Sequence, residues 1–360
     1  MREFGALSGV RVIEFDAIGP APLAATMLAD MGAEVVRIAR PKRADDPWDD
    51  VGGSVLHRGR QTIELDLKTQ RTQAMDLVSR GDIVIEGMRP GVMERLGLGP
   101  DACFEANPAL VYGRITGWGQ DGPLAQRAGH DINYLAITGA LWAMGSAGSP
   151  PPVPLNLVGD YGGGSMFLLT GVLAALVSAR ATGKGQIVDA AIVDGVTMMT
   201  ALFSAWRDSG SWSDRREDNL LDGGAPFYRC YQCADGEYIA VGPLEPAFFR
   251  AFLRGLGLPE DMPQHDRDRW PEMAGLFADR IAQRTRDDWA QMFEGTDACV
   301  TPVLNWEEAA LHPHNVARGS IEERSGVAHP APAPRMSGTP SSIGTGSAPS
   351  LDAILARWSR

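Results

Sequence analysis

The first third of the chain alternates short β-rich runs with helical stretches, and this alternation constrains the fold more than any other feature. An apolar run at 10–15 ends in a turn around Gly19-Pro20, and a helical stretch at 23–31 follows it. Gly32 then precedes a second β-rich run at 34–38. Strand, turn, helix and strand in this order predict a βαβ unit, whose two strands are parallel and whose crossover is right-handed.

The same alternation continues to about residue 115. We predict strands at 62–67, 82–86 and 110–115, with a helix at 69–79 between the first two. Short β runs that alternate with helices are typical of a parallel sheet. This half of the chain is therefore predicted to be an α/β domain.

The middle of the chain is predicted to be mostly helical. Helical patterns cover 132–144, 161–181 and 196–209, and a β-rich run at 186–192 interrupts them.

From about Gly223 the pattern changes to that of a small α+β domain. Runs at 228–233 and 238–241 predict a hairpin. Two amphipathic helices and another β run follow, at 246–255, 270–282 and 299–304. Residues 327–349 are rich in Pro, Ser, Gly and Thr, so we expect them to be extended and irregular.

Charge and apolar patterning exclude several classes of protein. The formal net charge of -12 argues against nucleic-acid binding, which needs a basic surface to neutralise phosphates. The longest apolar run, 166–177, is too short to span a bilayer and predicts a buried helix. No signal peptide is recognised at the N-terminus, and four cysteines make no disulfide framework in a chain of 360 residues. We therefore expect a cytoplasmic protein without a membrane segment.

A histidine, His130, follows a glycine where a loop is predicted to become a helix. Backbone N–H groups at a helix start hold anions, and an imidazole exchanges protons near neutral pH. The position alone leaves two interpretations open: His130 caps the helix or fills the core, or it handles protons in a reaction.

An acidic residue, Asp160, stands just before a run of three glycines that begins at Gly162. A carboxylate at a helix start is ordinarily a cap worth about 1 kcal/mol. Each glycine costs a helix roughly 0.5–1 kcal/mol, so the run indicates that backbone or ligand approaches closely. It lacks the spacing of a triphosphate or dinucleotide site and suits a pocket for a bulky acyl group.

Two further positions carry weaker signals. Glu245 lies where a predicted strand turns into a helix, and an acid in a first helical turn is ordinarily stabilised by the helix dipole. Cys230 and Cys233 form a CxxC pair, but no second pair stands at zinc spacing and the segment has the pattern of a strand. No metal site is predicted.

Segments distributed over most of the chain carry a family resemblance. They are 7–14, 32–38, 40–41, 65–68, 89–92, 129–134, 183–186, 221–226, 242–246 and 297–303. In this order they resemble the α-methylacyl-CoA racemases of the family III CoA-transferase superfamily.

The resemblance implies an α/β fold with a large Rossmann-like parallel-sheet domain and a smaller α+β domain, in an interlocked homodimer. On this basis residues 1–190 form the large CoA-binding domain, 191–222 a linker helix and 223–310 the small domain. Residues 311–360 are expected to return and pack on the large domain.

The resemblance also implies that His130 and Asp160 are the catalytic pair, joined by Glu245 of the partner subunit. Racemisation beside a thioester passes through a planar enolate, so one residue removes a proton from one face while another delivers one to the opposite face. Glu245 would hold the tautomer of His130, and the backbone N–H of Asp131 would stabilise the enolate oxygen. The reaction needs no cofactor, because CoA is part of the substrate.

By the same resemblance, CoA contacts several positions in the first half of the chain. They are Arg40, Leu65, Asp66, Leu67, Lys68, Arg95, Ala128, Gly129 and Asn133. Arginine forks bind phosphates with two hydrogen bonds, which suits Arg40 and Arg95. The family pattern often has Asp-Arg-Pro where this chain has Ala39-Arg40-Pro41, so we expect Arg40 to be held differently here.

Two alternative functions remain open from the sequence. A CoA-transferase of the same superfamily would use Asp160 as a nucleophile and form an acyl anhydride. A non-catalytic acyl-CoA-binding protein would bind the thioester without exchanging its α-proton. His130 favours the racemase, because a transferase needs no base at that position.

Overall fold

The computed structural model describes residues 5–41 and 51–359, which divide into two compact units. One unit contains the described residues up to Thr138, Pro154–Thr200 and the described residues from Gly319 onward. The other contains Gly139–Val153 and Ala201–Arg318. The domain bounds given above stay a prediction.

The first unit is built on a six-stranded sheet. Its strands are β1 (Arg11–Phe15), β2 (Glu34–Ala39), β3 (Gln61–Glu64), β4 (Ile83–Glu86), β5 (Val111–Thr116) and β6 (Gln186–Ala191). Their order is β3-β2-β1-β4-β5-β6, and all neighbouring pairs are parallel. The predicted parallel α/β fold is confirmed. The strand order reverses between β1 and β4, and ligands bind at the carboxyl ends of the strands beside such a reversal.

In the described residues up to Thr200, eight helices accompany these strands. They are α1 (Pro20–Asp30), α2 (Gly53–Leu56), α3 (Arg71–Val78), α4 (Val92–Arg95), α5 (Pro100–Ala106), α6 (Asp131–Ile137), α7 (Met166–Thr182) and α8 (Ile192–Met199). Helix α7 continues from a 3₁₀ turn at Leu155–Leu157 and a π-helical segment at Val158–Ser165.

Helix α7 is the central core helix of the first unit. Its side chains Leu168 and Val172 are fully buried, and a Cβ on Gly113 of β5 would lie only 2.9 Å from Val172. By length and composition, the helical stretch Leu155–Thr182 is long and apolar enough to cross a membrane. Half of its most apolar part is buried inside the fold. Core helices of soluble proteins commonly meet the same criterion. The helix predicted to be buried is buried on one face, while Val177 is 71% exposed.

The second unit holds an antiparallel sheet packed against helices. In chain order its elements are α9 (Ala201–Asp208), β7 (Arg229–Gln232), β8 (Tyr238–Val241), α10 (Pro246–Leu256), α11 (Trp270–Ile281), α12 (Arg286–Phe293), β9 (Val300–Pro302), α13 (Trp306–Leu311) and α14 (Pro313–Arg318). The strands pair in the order β7-β8-β9, which confirms the predicted hairpin. Its core is strongly aromatic, with Phe249, Phe252 and Phe277 almost fully buried.

The chain then returns to the first unit. A hairpin of β10 (Ile321–Arg324) and β11 (Val327–Pro330) is followed by α15 (Leu351–Arg357). Ile354 and Trp358 are fully buried in the core of the first unit. The segment expected to be irregular therefore begins with a strand.

Two predicted helices have different bounds in the structure. The helix expected over 132–144 ends at Ile137, because Gly139 adopts a left-handed conformation with φ +83°. The helix expected over 196–209 is divided at Thr200 into α8 and α9.

Candidate active site

A cleft of about 530 Å³ opens at the carboxyl ends of β1, β4 and β5, and both proposed proton-handling residues line it. Its lining residues are Asp16, Ala17, Ile18, Gly19, Pro20, Arg40, Gly87, Met88, Arg89, Ile115, Thr116, Gly117, Gly129, His130, Tyr134, Asp160 and Ile192. The cleft lies at the strand-order reversal, where a doubly wound sheet binds its ligand. His130 and Asp160, 30 residues apart in the chain, are thus brought to one cavity.

His130 stands at the start of α6 with an exposed side chain and a fixed backbone. Its backbone N–H donates a hydrogen bond to Oδ1 of Asn133, at 3.0 Å. Just before it, the hydroxyl of Tyr134 donates to the carbonyl of Gly129. Asn133, which the resemblance assigned to CoA, therefore has a structural contact with His130. Two side chains of the first helical turn hold the histidine loop.

Aromatic packing supports the same loop from behind. The rings of Trp118 and Tyr134 meet edge to face with centroids 4.7 Å apart. Gly129 lies against both rings, and a Cβ there would come within 2.8 Å of each. A side chain at this position would displace the residue directly before His130, so Gly129 is required by packing.

Asp160 is half-buried within the π-helical segment. Its backbone N–H donates to Oδ1 of Asp131 at 2.6 Å. Burial, followed by the negative charge of Asp131, raises the pKa of the Asp160 carboxyl group to about 6. A hydrogen bond from Asn156 and the charge of His130 act in the opposite direction. This carboxyl group therefore changes protonation much nearer to neutrality than an ordinary aspartate.

The glycines after Asp160 are explained largely by helix packing. A Cβ on Gly163 would lie 2.6 Å from Val196 of α8, and one on Gly164 would lie 3.1 Å from Pro20 of α1. A Cβ on Gly162 would lie 3.1 Å from the backbone oxygen of Leu157 and 3.4 Å from the flexible side chain of Met199. The interpretation of the whole run as an acyl-binding surface is therefore wrong for the two buried glycines, which let α1 and α8 approach the backbone.

Arg40 lines the cleft beside an acid on the neighbouring strand. Asp16, directly after β1, accepts a hydrogen bond from Arg37 at 2.7 Å and lies 3.6 Å from Nε of Arg40. Asp16 thus supplies an acid beside Arg40 where position 39 has an alanine. The side chain of Arg40 is about half exposed and remains accessible to an anion.

The other predicted CoA contacts are distributed over several places. Leu65 lines a second cavity, of about 870 Å³, that also contains Arg40. Ala128 and Gly129 line a smaller cavity of about 210 Å³ next to His130. In a local turn, Oδ1 of Asp66 accepts a hydrogen bond from the backbone N–H of Lys68, at 3.0 Å. None of the described cavities is lined by Asp66, Leu67, Lys68 or Arg95.

Arg89 is a cleft residue that sequence reasoning did not single out, and buried ion pairs hold its loop. Oε2 of Glu86 accepts the N–H of Met88 at 2.7 Å, while Arg114 bridges Glu86 and Glu94 at 2.9 and 2.8 Å. Glu86 and Arg114 are both buried. The signal in the sequence was the position of Arg89 just after a predicted strand end, where parallel sheets bind ligands.

Glu245 lies in the second unit, at the start of α10. Its side chain is exposed, and its carbonyl accepts the N–H of Phe249. Within the described ranges, no three His, Cys, Asp or Glu side chains are grouped so that they could hold a metal ion.

Comparison with known proteins identifies the family. The family model described as CoA-transferase family III matches residues 7–353. The chain belongs to this family. It is 44% identical to the alpha-methylacyl-CoA racemase of Homo sapiens over 340 residues, covering 93% of this chain and 87% of the relative. It is 28% identical to the acetyl-CoA:oxalate CoA-transferase of Acetobacter aceti, covering 97% of this chain and 93% of that one.

A solved structure supports the fold of this family member. The CAIB/BAIF family protein of Brucella suis superposes with a TM-score of 0.82 at 24% identity, covering 99% of this chain and 100% of that one. At this identity the likeness concerns the fold alone.

Proposed function

We propose that this chain is a racemase that interconverts (R)- and (S)-2-methylacyl-CoA thioesters. The observation that carries the proposal is that His130 and Asp160 line one cleft at the strand-order reversal. The 44% identity to a protein named alpha-methylacyl-CoA racemase supports the same reaction, since the identity to three proteins named as individual CoA-transferases is 28–30%.

In this mechanism the two side chains act on opposite faces of the α-carbon. One takes the α-proton, the thioester becomes a planar enolate, and the other delivers a proton to the opposite face. A positioned acid or base typically contributes about 10²–10⁴-fold to such a step. The raised pKa of Asp160, about 6, helps its carboxyl group serve as an acid in one direction and a base in the other.

The enolate oxygen requires a hydrogen-bond donor, for which we propose the backbone N–H of Asp131 in the first turn of α6. For the CoA moiety we propose Arg40 as a phosphate ligand, because its guanidinium lines the cleft and is half exposed. The remaining predicted CoA contacts, Leu65–Lys68, Arg95, Ala128, Gly129 and Asn133, stay predictions. The two side chains supply the proton chemistry, so the proposal invokes no cofactor.

We further propose that the protein is a homodimer in which Glu245 of the partner subunit orients His130. Large apolar side chains are exposed in both units, and exposed apolar surface commonly marks an interface. In the first unit they include Val177 and Met198, at 71% and 65% exposure, and in the second Trp306 and Leu311, at 84% and 78%. We also propose that the protein is cytoplasmic, has no membrane segment and binds no nucleic acid; the net charge of -12 supports this proposal.

Incubation of one enantiomer of a 2-methylacyl-CoA in D₂O tests the function. We expect uptake of one deuterium at the α-carbon, seen by mass, and convergence on equal amounts of both epimers in chiral analysis. A parallel tube contains succinate and oxalate. Transfer of CoA to an added acid without deuterium uptake would replace the racemase with the transferase, and would make Asp160 a nucleophile. Binding without either reaction would leave a non-catalytic acyl-CoA-binding protein.

A further inference from the structure

The side chain of Asp131 makes a contact that its backbone role does not require. Its Oδ1 accepts the N–H of Asp160 at 2.6 Å, and the backbone N–H of Gly159 also acts on this carboxylate. Asp131 directly follows His130 in the chain. One residue therefore belongs to the loop of the first proton-handling group and holds the backbone of the second.

The Asp131 carboxyl group fits closely against Gly159. Gly159 is buried, and the three nearest atoms to a Cβ placed on it would all belong to the Asp131 carboxyl group. A side chain at position 159 would therefore displace the carboxylate. The other oxygen, Oδ2, is buried and has no hydrogen-bonding partner among the described residues. A surface cap needs neither a glycine opposite it nor a desolvated second oxygen, so this carboxylate is more than a surface helix cap.

The charge of Asp131 acts on Asp160 as well. Among the described groups around Asp160, Asp131 adds a negative charge, while His130 adds an opposing charge and Asn156 a hydrogen bond. Tyr134 of α6 also lies within electrostatic reach of Asp160. On the other side is the uncharged Gly19, directly before α1, where an added Cβ would lie 3.4 Å from Oδ2 of Asp160. A like charge favours the protonated form of a neighbouring carboxyl group.

We propose that Asp131 is a positioning residue whose side chain anchors the Asp160 segment and places a negative charge next to the Asp160 carboxyl group. The proposal rests on the racemase function given above and deepens it. The first turn of α6 then holds both proton-handling residues: Asn133 fixes the backbone of His130, and Asp131 fixes that of Asp160. The two groups keep their relative position through one short piece of backbone.

Two substitutions of Asp131 separate anchoring from charge. Asp131→Asn keeps an oxygen that accepts the Asp160 N–H but removes the charge, whereas Asp131→Ala removes both. We expect Asp131→Ala to lower kcat by about 10²-fold, the size of loss that follows a displacement of about 1 Å. Asp131→Asn should lose much less kcat. It should also move the acidic limb of the pH profile down by about one pH unit, the size of an ordinary charge effect.

Gly159→Ala gives a matched test from the other side of the contact. Alone it should lower kcat about as much as Asp131→Ala, because its methyl group displaces the carboxylate. In the Asp131→Ala background, Gly159→Ala should lower kcat little further, because the carboxyl atoms that its methyl group would meet are absent. Fully additive losses in this double-mutant cycle would overturn the anchoring role. Thermal unfolding of each variant identifies any that fails to fold.

A direct measurement keeps the proposal testable without turnover. The pKa of Asp160 is followed by NMR in protein labelled with ¹³C at the aspartate carboxyl carbons, with Asp160→Asn used to assign the resonance. A lower pKa of Asp160 in Asp131→Asn is the expected result, and an unchanged one would overturn the electrostatic role. If the wild type exchanges no α-deuterium, the proposed function fails, while this titration still decides whether Asp131 acts on Asp160.

Discussion

The loop that presents His130 and the π-helical segment that presents Asp160 hold their side chains in opposite ways. His130 is exposed; it forms a capping box with Asn133, and Tyr134 bonds to Gly129 directly before it. Asp160 is half-buried in a segment packed against α1 and α8 through glycines. The difference teaches that one proton-handling group is open to solvent, while the other has its protonation set by burial and a neighbouring charge.

The largest effect should come from removing either side chain. We expect His130→Gln and Asp160→Asn each to lower the rate of racemisation by about 10²–10⁴-fold. Each substitution leaves one face of the α-carbon without the side chain that transfers its proton. Chiral analysis of a single-enantiomer substrate measures the rate. A variant of either residue that racemises at nearly the wild-type rate would remove that residue from the catalytic pair.

The packing of the π-helical segment can be tested with a matched pair of helix glycines. A Cβ on Gly195 of α8 would collide with the backbone of Gly163, whereas one on Gly275 of α11 would meet nothing within 4 Å. Gly195→Ala should therefore lower the free energy of unfolding by about 3 kcal/mol, the upper range for overpacking. Gly275→Ala should raise it by about 0.5–1 kcal/mol through helix propensity. Urea unfolding compares the two, and equal effects would contradict the close packing.

The burial of Asp160 predicts a pH dependence. Its pKa is raised from an ordinary value to about 6, so its charged form is disfavoured and the carboxyl group takes up a proton as pH falls through about 6. In the proposed mechanism His130 and Asp160 together carry one transferable proton, whichever enantiomer is the substrate. We therefore expect kcat/KM for both enantiomers to fall together below about pH 6. An acidic limb near pH 4, where an ordinary aspartate titrates, would show that burial does not tune this residue.

The smallest effect concerns Arg40, which belongs to neither proton-handling segment. Asp16→Asn removes the acid that lies 3.6 Å from Arg40. The pair with the half-exposed Arg40 contributes about 0.2–1 kcal/mol, so KM for acyl-CoA should rise only severalfold and kcat should change less. Asp16 also pairs with the nearly buried Arg37 at 2.7 Å, so Asp16→Asn should in addition lower the free energy of unfolding, which urea unfolding measures. Steady-state kinetics with one acyl-CoA separates the two constants. A loss mainly in kcat would assign Asp16 to the proton chemistry instead.

The sequence predicted the parallel sheet because short β-rich runs alternate with helical stretches in the first third of the chain. The run at 186–192, which forms β6 of the same sheet, was not assigned to it. It could not predict that helix α6 ends at Ile137, since nothing local indicates that Gly139 takes a left-handed conformation. The π-helical geometry around Asp160 was also missed, because it depends on contacts with α1 and α8 from other parts of the chain.

For the site, sequence reasoning found His130 and Asp160 but not how they are supported. The role of the Asp131 side chain depends on a contact between residues 29 positions apart, which periodicity does not reveal. Gly159 was the available signal: a glycine directly before an acid, whose missing side chain leaves room for the carboxylate.

The most direct test of the central claim is the stereochemistry of the residual proton exchange in two variants. His130→Ala and Asp160→Ala are each incubated in D₂O with (R)- and, separately, (S)-2-methylacyl-CoA, and α-deuterium is followed by mass. If the two residues serve opposite faces, each variant exchanges the proton of only one enantiomer, and the two variants select opposite enantiomers. Exchange of the same enantiomer by both variants, or of both enantiomers by either one, would contradict the two-residue account.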